Sequence, residues 1–233
     1  MKTTFDQLKQ HKTGRNQEDF NKVLDRLLPG LKRYVRHRIR IFELKGLLPK
    51  NYYVTADVIA DIYLKLYEKP DKIHSEKALR IEAFRLADEI LQSYVAQHNK
   101  PYKKLNVNDL LKEELKMLDE TFTVDADGDL VLIEELGDIS YKQDEFKRKI
   151  YLFDKTAEEM FARALGLSAE DFKDEKFRAI FGNLYANLPE TARQVLDLVS
   201  QGGLPPSEAA VVAGVKESDI IAVLNRVKKL LNK

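Results

Sequence analysis

The chain contains no cysteine, and only 10 glycines and 7 prolines among 233 residues. Without cysteine there is no disulfide framework, no thiolate metal site and no cysteine nucleophile. The scarcity of glycine and proline favours long helices over many short strands joined by turns. No run of about 18 apolar residues occurs, so no segment reads as a membrane span. The stretch from Met1 to Phe20 is polar and lacks the apolar core of a secretory leader, so a cytoplasmic location is expected. Neither charge is in excess: 39 Lys and Arg face 38 Asp and Glu, for a net charge of +1. What remains is 44% hydrophobic and 33% charged, a composition able to bury the core of one or two domains.

The neutrality is a cancellation. From Lys22 to Lys50 there are nine basic residues and two acids, whereas Glu113 to Glu145 carries twelve acids and two bases. The segment from Lys216 onward is basic again. Blocks of this kind bind polyanions or one another, and they also describe solvated helix faces.

Apolar residues at three- and four-residue steps predict a helix over 18–43, which Pro29-Gly30 kinks or divides. Thr55 reads as the N-cap of a second helix that buries Val58, Ile59, Ile62, Leu64 and Leu66. Ser75 reads as the cap of a third, running to about Gln97. In the middle, Asp109 to Glu120 has helical periodicity. Phe122 to Ile133 reads as a β-hairpin turning at Asp127-Gly128. Tyr141 to Leu165 is predicted helical with Gly166 beyond its end, and Ser168 as the cap of a further short helix. Helices are then expected over Phe177–Leu188, Glu190–Ser200, Ser207–Ala213 and Ser218–Lys233. The expected fold class is all-α, with a helical domain at 18–100, an acidic central segment at 101–178 and a second helical domain at 179–233.

The last two helices, separated by Gly214, have helix-turn-helix proportions. Ala209, Ala210 and Ala213 let these two helices approach each other closely, and Gly214 permits positive φ at the turn. In a DNA reader the second helix would enter the major groove by its N-terminal end.

Leu188-Pro189-Glu190, Leu204, Glu208-Ala209-Ala210, Gly214-Val215 and the closing Arg226-Val227-Lys228-Lys229-Leu230 resemble region four of bacterial sigma factors of the extracytoplasmic-function type. The run Ala56-Asp57-Val58-Ile59-Ala60-Asp61-Ile62-Tyr63-Leu64-Lys65-Leu66-Tyr67 resembles the region-two helix that grips the polymerase clamp, and Ala83-Phe84-Arg85-Leu86-Ala87 the start of its promoter-melting helix. The resemblance covers about 20–100 and 180–233. It implies a two-domain helical transcription protein whose partners are RNA polymerase core and promoter DNA, with room for a regulatory protein and with no cofactor.

On that resemblance, Asp57, Asp61, Tyr63 and Lys65 are the polymerase-binding candidates. Asp57 and Asp61 lie four apart, on one helix face, suited to a basic partner surface. Arg33, Arg36, His37 and Arg40 form a basic face at spacings suited to phosphates. Arg80 and Arg85 are further backbone candidates, and Lys216, Ser218, Asn225, Arg226 and Lys229 those of the last helix. The chain departs from the family's pattern in having no tryptophan. Glu82, Glu89 and Ser93 stand where the melting helix carries aromatic or DNA-compatible groups. Ile221 and Val223 replace polar residues in the last helix, widening its apolar face. The alternative function is therefore a sigma-like regulator that binds protein partners through that helix without reading DNA. The acidic segment 113–145 is expected to dock on the basic helix around Arg33 to Arg40 or to compete with DNA for polymerase.

Catalytic signals are absent. The four histidines are scattered, and no phosphate-binding loop, dinucleotide fingerprint or nucleophile elbow occurs. Thr123 to Glu134 partly matches a calcium loop, but position one is Thr123 rather than Asp, and a hairpin turn accounts for it better. No enzymatic activity is expected.

Overall fold

The computed structural model describes residues 17–68, 74–98, 122–124, 130–132 and 153–231. Within them the chain is predominantly α-helical and forms two compact units. One comprises 17–98 together with Gln201–Ala213; the other comprises 153–200 together with 214–231 and the short strands. The expected 179–233 domain thus contributes to both units. No described helix is long and apolar enough to cross a membrane.

In the first unit, the predicted 18–43 helix is two: α1 (Gln17–Leu27) and α2 (Pro29–Leu44). Leu28 leaves the helical region at φ −122°, ψ 51°. The residue before a proline is pushed out of the α region, and Pro29 itself is well placed in the first helical turn because its missing N–H would be unpaired there. Both helices bury the predicted apolar stripe, including Phe20, Leu24, Leu31, Tyr34 and Val35.

The next helix, α3 (Thr55–Glu68), begins one residue earlier than the sequence implies. The Val54 carbonyl, rather than a Thr55 cap, takes the N–H groups of Asp57 and Val58 at 3.1 and 3.4 Å. Its buried face is Val58, Ile59, Ile62, Tyr63 and Leu66, while Leu64 is 43% exposed. Positions 58, 59, 62, 63 and 66 form one continuous helical stripe, and 64 falls outside it. Ser75 caps α4 (Glu76–His98) as expected, its hydroxyl accepting the Ala78 N–H at 3.1 Å.

Helix α4 packs against α2 and α3, and also against the short α8 (Pro206–Ala213). Having neighbours on more than one side explains its broad burial, from Leu79 through Ala83, Leu86 and Ala87 to Val95.

The second unit contains α5 (Lys155–Leu165), a 3₁₀ turn at Asp171–Lys173, α6 (Glu175–Asn187), α7 (Glu190–Ser200) and α9 (Glu217–Leu231). Asp154 caps α5 by accepting the Ala157 N–H at 2.9 Å, and Gly166 ends it at φ 61°. Phe153, Phe161, Phe181 and Tyr185 pack edge-on or tilted with centroids 4.9–6.2 Å apart. Such geometries suit the aromatic quadrupole. Arg193 is 1% exposed and spends its guanidinium on the carbonyls of Tyr185, Ala186 and Leu188 at the end of α6. A buried cation is tolerated there because the helix's unpaired carbonyls need donors.

The strands β1 (Phe122–Val124) and β2 (Leu130–Leu132) pair antiparallel, with Thr123 opposite Val131. The turn between them, the predicted helix over 109–120, the 141–152 part of the predicted 141–165 helix and the rest of the acidic block lie outside the described residues. Phe153 and Asp154 are not helical, and α5 starts only at Lys155, where Asp154 caps it.

Candidate functional site

The polymerase-binding candidates divide sharply. Asp57 and Asp61 are exposed, one turn apart on α3, as their spacing requires. Asp61 accepts the Tyr94 hydroxyl at 3.3 Å. Tyr94 in turn stacks on Tyr53, with centroids 4.2 Å apart and planes 16° from parallel, and the Tyr53 hydroxyl lies 2.9 Å from His98 Nε2. Partial burial raises the Tyr94 pKa above the usual phenol value, and the Asp61 carboxylate raises it further. The carboxylate pair is therefore flanked by an ordered aromatic patch that includes Tyr52, 68% exposed.

Tyr63 is placed differently. It is 4% exposed and donates its hydroxyl to Asp25 at 2.7 Å. Burial pushes its pKa far above the usual value, with the Asp25 hydrogen bond acting in the same direction. Tyr63 is thus a packing residue that ties α3 to α1 and is not part of the outer face. Lys65 is half-buried, with its ammonium 3.8 Å from Glu89, a distance at which an exposed pair contributes little.

The basic face of α2 is narrower than its spacing suggests. Arg36 and Arg40 are exposed and Arg33 is half-buried, but His37 is only 8% exposed. Arg38, counted within the basic block, is 1% exposed and lies over the Phe42 ring at 4.5 Å. There it serves the core through its planar cation and apolar stem.

Arg80 and Arg85 are both engaged by α8. Arg80 Nε and Nη2 each donate to the Glu208 carboxylate at 2.9 Å, and Nη1 donates to Glu76 at 2.8 Å. Arg85 Nη2 donates to the Val211 carbonyl at 3.0 Å. Ala209, Ala210 and Ala213 are all buried, and α8 packs on α4.

Lys216, just before α9, and Ser218, Asn225 and Lys229 on it are exposed, and Arg226 is half-buried. Asp219 is committed to capping: its carboxylate accepts the Lys216 N–H at 3.3 Å while its own N–H bonds the Lys216 carbonyl at 3.0 Å. Glu217 and Asp219 stabilise the positive end of the helix dipole. They also place two carboxylates where a recognition helix would approach phosphates. The wide apolar face of α9 is largely consumed by packing against α5, α6 and α7. Ile220, Val223, Val227 and Leu230 are buried, leaving Ile221 46% exposed. Gly214 adopts φ 71°, as the turn reading requires. Among the described residues, no group of three or more histidines or carboxylates is arranged to hold a metal ion.

A scan against protein-family models and searches of curated proteins and of solved structures return no match to this chain.

Proposed function

We propose that this protein is a sigma-factor-like transcription protein, cytoplasmic, that docks on RNA polymerase core through the outer face of α3. The observation that carries the reading is the Asp57–Asp61 pair. Both carboxylates are exposed one turn apart on a helix whose opposite face is buried. They lie within the segment that resembles the clamp-gripping helix, and the Tyr94 hydrogen bond anchors Asp61. Two exposed carboxylates one turn apart match a basic helix on the partner. The wider organisation belongs to the same reading: a region-two-like N-terminal part, a region-four-like C-terminal part and an acidic segment with a small hairpin joining them.

Promoter DNA would be met mainly through phosphates. Arg36 and Arg40 offer exposed charge on α2, and Asn225 and Lys229 are exposed on α9. Arg80 becomes available only when α8 leaves α4, whereas Arg85 is exposed and gives one N–H to the Val211 carbonyl. The engagement of both arginines by α8 also favours a second reading, a polymerase-bound regulator that does not read DNA. Capture of polymerase core by the wild type and by D57K/D61K tests the docking surface. Capture lost in the variant supports it; equal capture overturns it. A mobility-shift assay at two salt concentrations separates the two readings. A salt-sensitive shift supports promoter engagement, whereas polymerase capture without a shift supports the regulator.

A further inference from the structure

Within the first unit, a recess of about 380 Å³ opens where the starts of α2 and α4 meet the turn that precedes α8. Three guanidinium groups line it, from Arg26, Arg33 and Arg80, against one lining carboxylate, Glu76. Arg80 is already spent on Glu208 and Glu76. Arg26 and Arg33 form no ion pair or hydrogen bond among the described residues, and Arg33 Nε is buried without a partner. A buried guanidinium donor left unpaired is costly, and its presence at a recess calls for an acceptor that the described residues do not supply.

The opposite wall is Gly202-Gly203 backbone. The carbonyl of Gly202 sits so close to Gly30 that a side chain at Gly30 would collide with it. Gly203, at φ 69°, brings the loop close to Arg33 Nη2. The loop is thereby held against the cations, and the recess is part of the packed fold. Its volume lies within the range of small-molecule sites. Its concavity suits a compact ligand better than a duplex backbone.

We infer that this recess binds a small molecule bearing a diphosphate group, with phosphoryl oxygens received by Arg33 and Arg26. Guanidinium forks pair with phosphate through two parallel hydrogen bonds. Two cations left uncommitted by the described residues match the charge of a diphosphate better than that of a single carboxylate. Inorganic pyrophosphate and a nucleoside polyphosphate share this chemistry. The inference stands apart from the polymerase reading, since it uses none of the α3 face.

Isothermal titration of the full chain with inorganic pyrophosphate, with ATP and with adenosine tests it. Saturable pyrophosphate binding is expected, weakened by about tenfold or more in R33M and also weakened in R26A, since hydrogen bonds to a charged group are each worth about that factor. R163A, exposed on α5 and outside the recess, should bind as the wild type does. Tighter binding of ATP than of pyrophosphate, with weak adenosine binding, points to a nucleotide; equal affinities point to the bare diphosphate. Absence of saturable pyrophosphate and ATP binding below about 1 mM overturns the inference. So does wild-type affinity in both R33M and R26A, or an equal loss in R163A. Arg26 is exposed, so R26A carries the test if R33M fails to fold.

Discussion

Arg80 grips Glu208 with a two-pronged hydrogen bond, 2.9 Å on each side, across 128 residues of sequence. Glu208 is almost wholly enclosed, its side chain 5% exposed, while Arg80 retains 30%. Such a fork is among the stronger polar contacts a protein makes. E208Q keeps the shape but removes the charge, and should cost about 1–3 kcal/mol in urea denaturation. If α8 masks Arg80 from DNA, E208Q also shifts DNA at low salt more strongly than the wild type. Equal shifts would mean that α8 has only a packing role.

Tyr185 and Asp197 form a second buried polar pair. The hydroxyl donates to the carboxylate at 2.7 Å, and both residues are completely enclosed. Y185F removes the donor and leaves the carboxylate short of one partner. A loss of about 1.5–3 kcal/mol is expected, seen as a lower denaturation midpoint with unchanged slope.

Two glycines should respond very differently to alanine. At Gly30, helix propensity alone would favour alanine, but the new Cβ would strike the Gly202 carbonyl. Backbone gives way poorly, so G30A should destabilise by about 1–3 kcal/mol. At Gly214 the surroundings are open and only the positive φ of 71° resists. G214A should cost about 1 kcal/mol. Thermal unfolding of the pair ranks the two effects.

Asp25 sets part of the acid response. Its partial burial works to raise its pKa, but hydrogen bonds from Lys32 and Tyr63 and the Lys32 charge outweigh that and hold it below the usual carboxylate value. A carboxylate with a depressed folded pKa stabilises above its unfolded value of about 3.9 and loses that contribution as pH falls through the folded value. D25N should therefore flatten the acid limb of the stability profile below about pH 4, while leaving its shape near neutrality unchanged. The effect is small, because the Asp25 side chain is 45% exposed.

Periodicity made the helices legible, along with most of their apolar stripes. The α1 and α2 stripe from Phe20 to Ile39 is buried as its spacing requires. The exchange of Leu64 for Tyr63 on α3 was available in principle, since 59, 62, 63 and 66 share one face. A tyrosine beside aspartates reads as polar until its partner, Asp25, is known to lie under it. Arg38 was hidden for a related reason: charge alone cannot distinguish a solvated arginine from one lying over Phe42. The small-residue face of α8 reads as a packing surface for the last helix, but the helix it packs on in its unit is α4. Ala209 and Ala210 are equally suited to any close neighbour, and the Arg80–Glu208 contact spans too much sequence for local pattern to encode. The carboxylate pair on α3 was legible because both members lie within one turn.

The split membership of the last third of the chain bears on how the molecule is made. Synthesis runs from the N-terminus, and domains ordinarily close as soon as they emerge. Here the N-terminal helices are finished long before α8 exists, yet α4 needs that late segment to cover its apolar face and satisfy Arg80. The nascent helices must therefore wait, partly uncovered, until residue 213 has left the ribosome. The final closure is a long-range docking step, slow by the measure of contact order, and it is the stage at which a chaperone would find the most to hold.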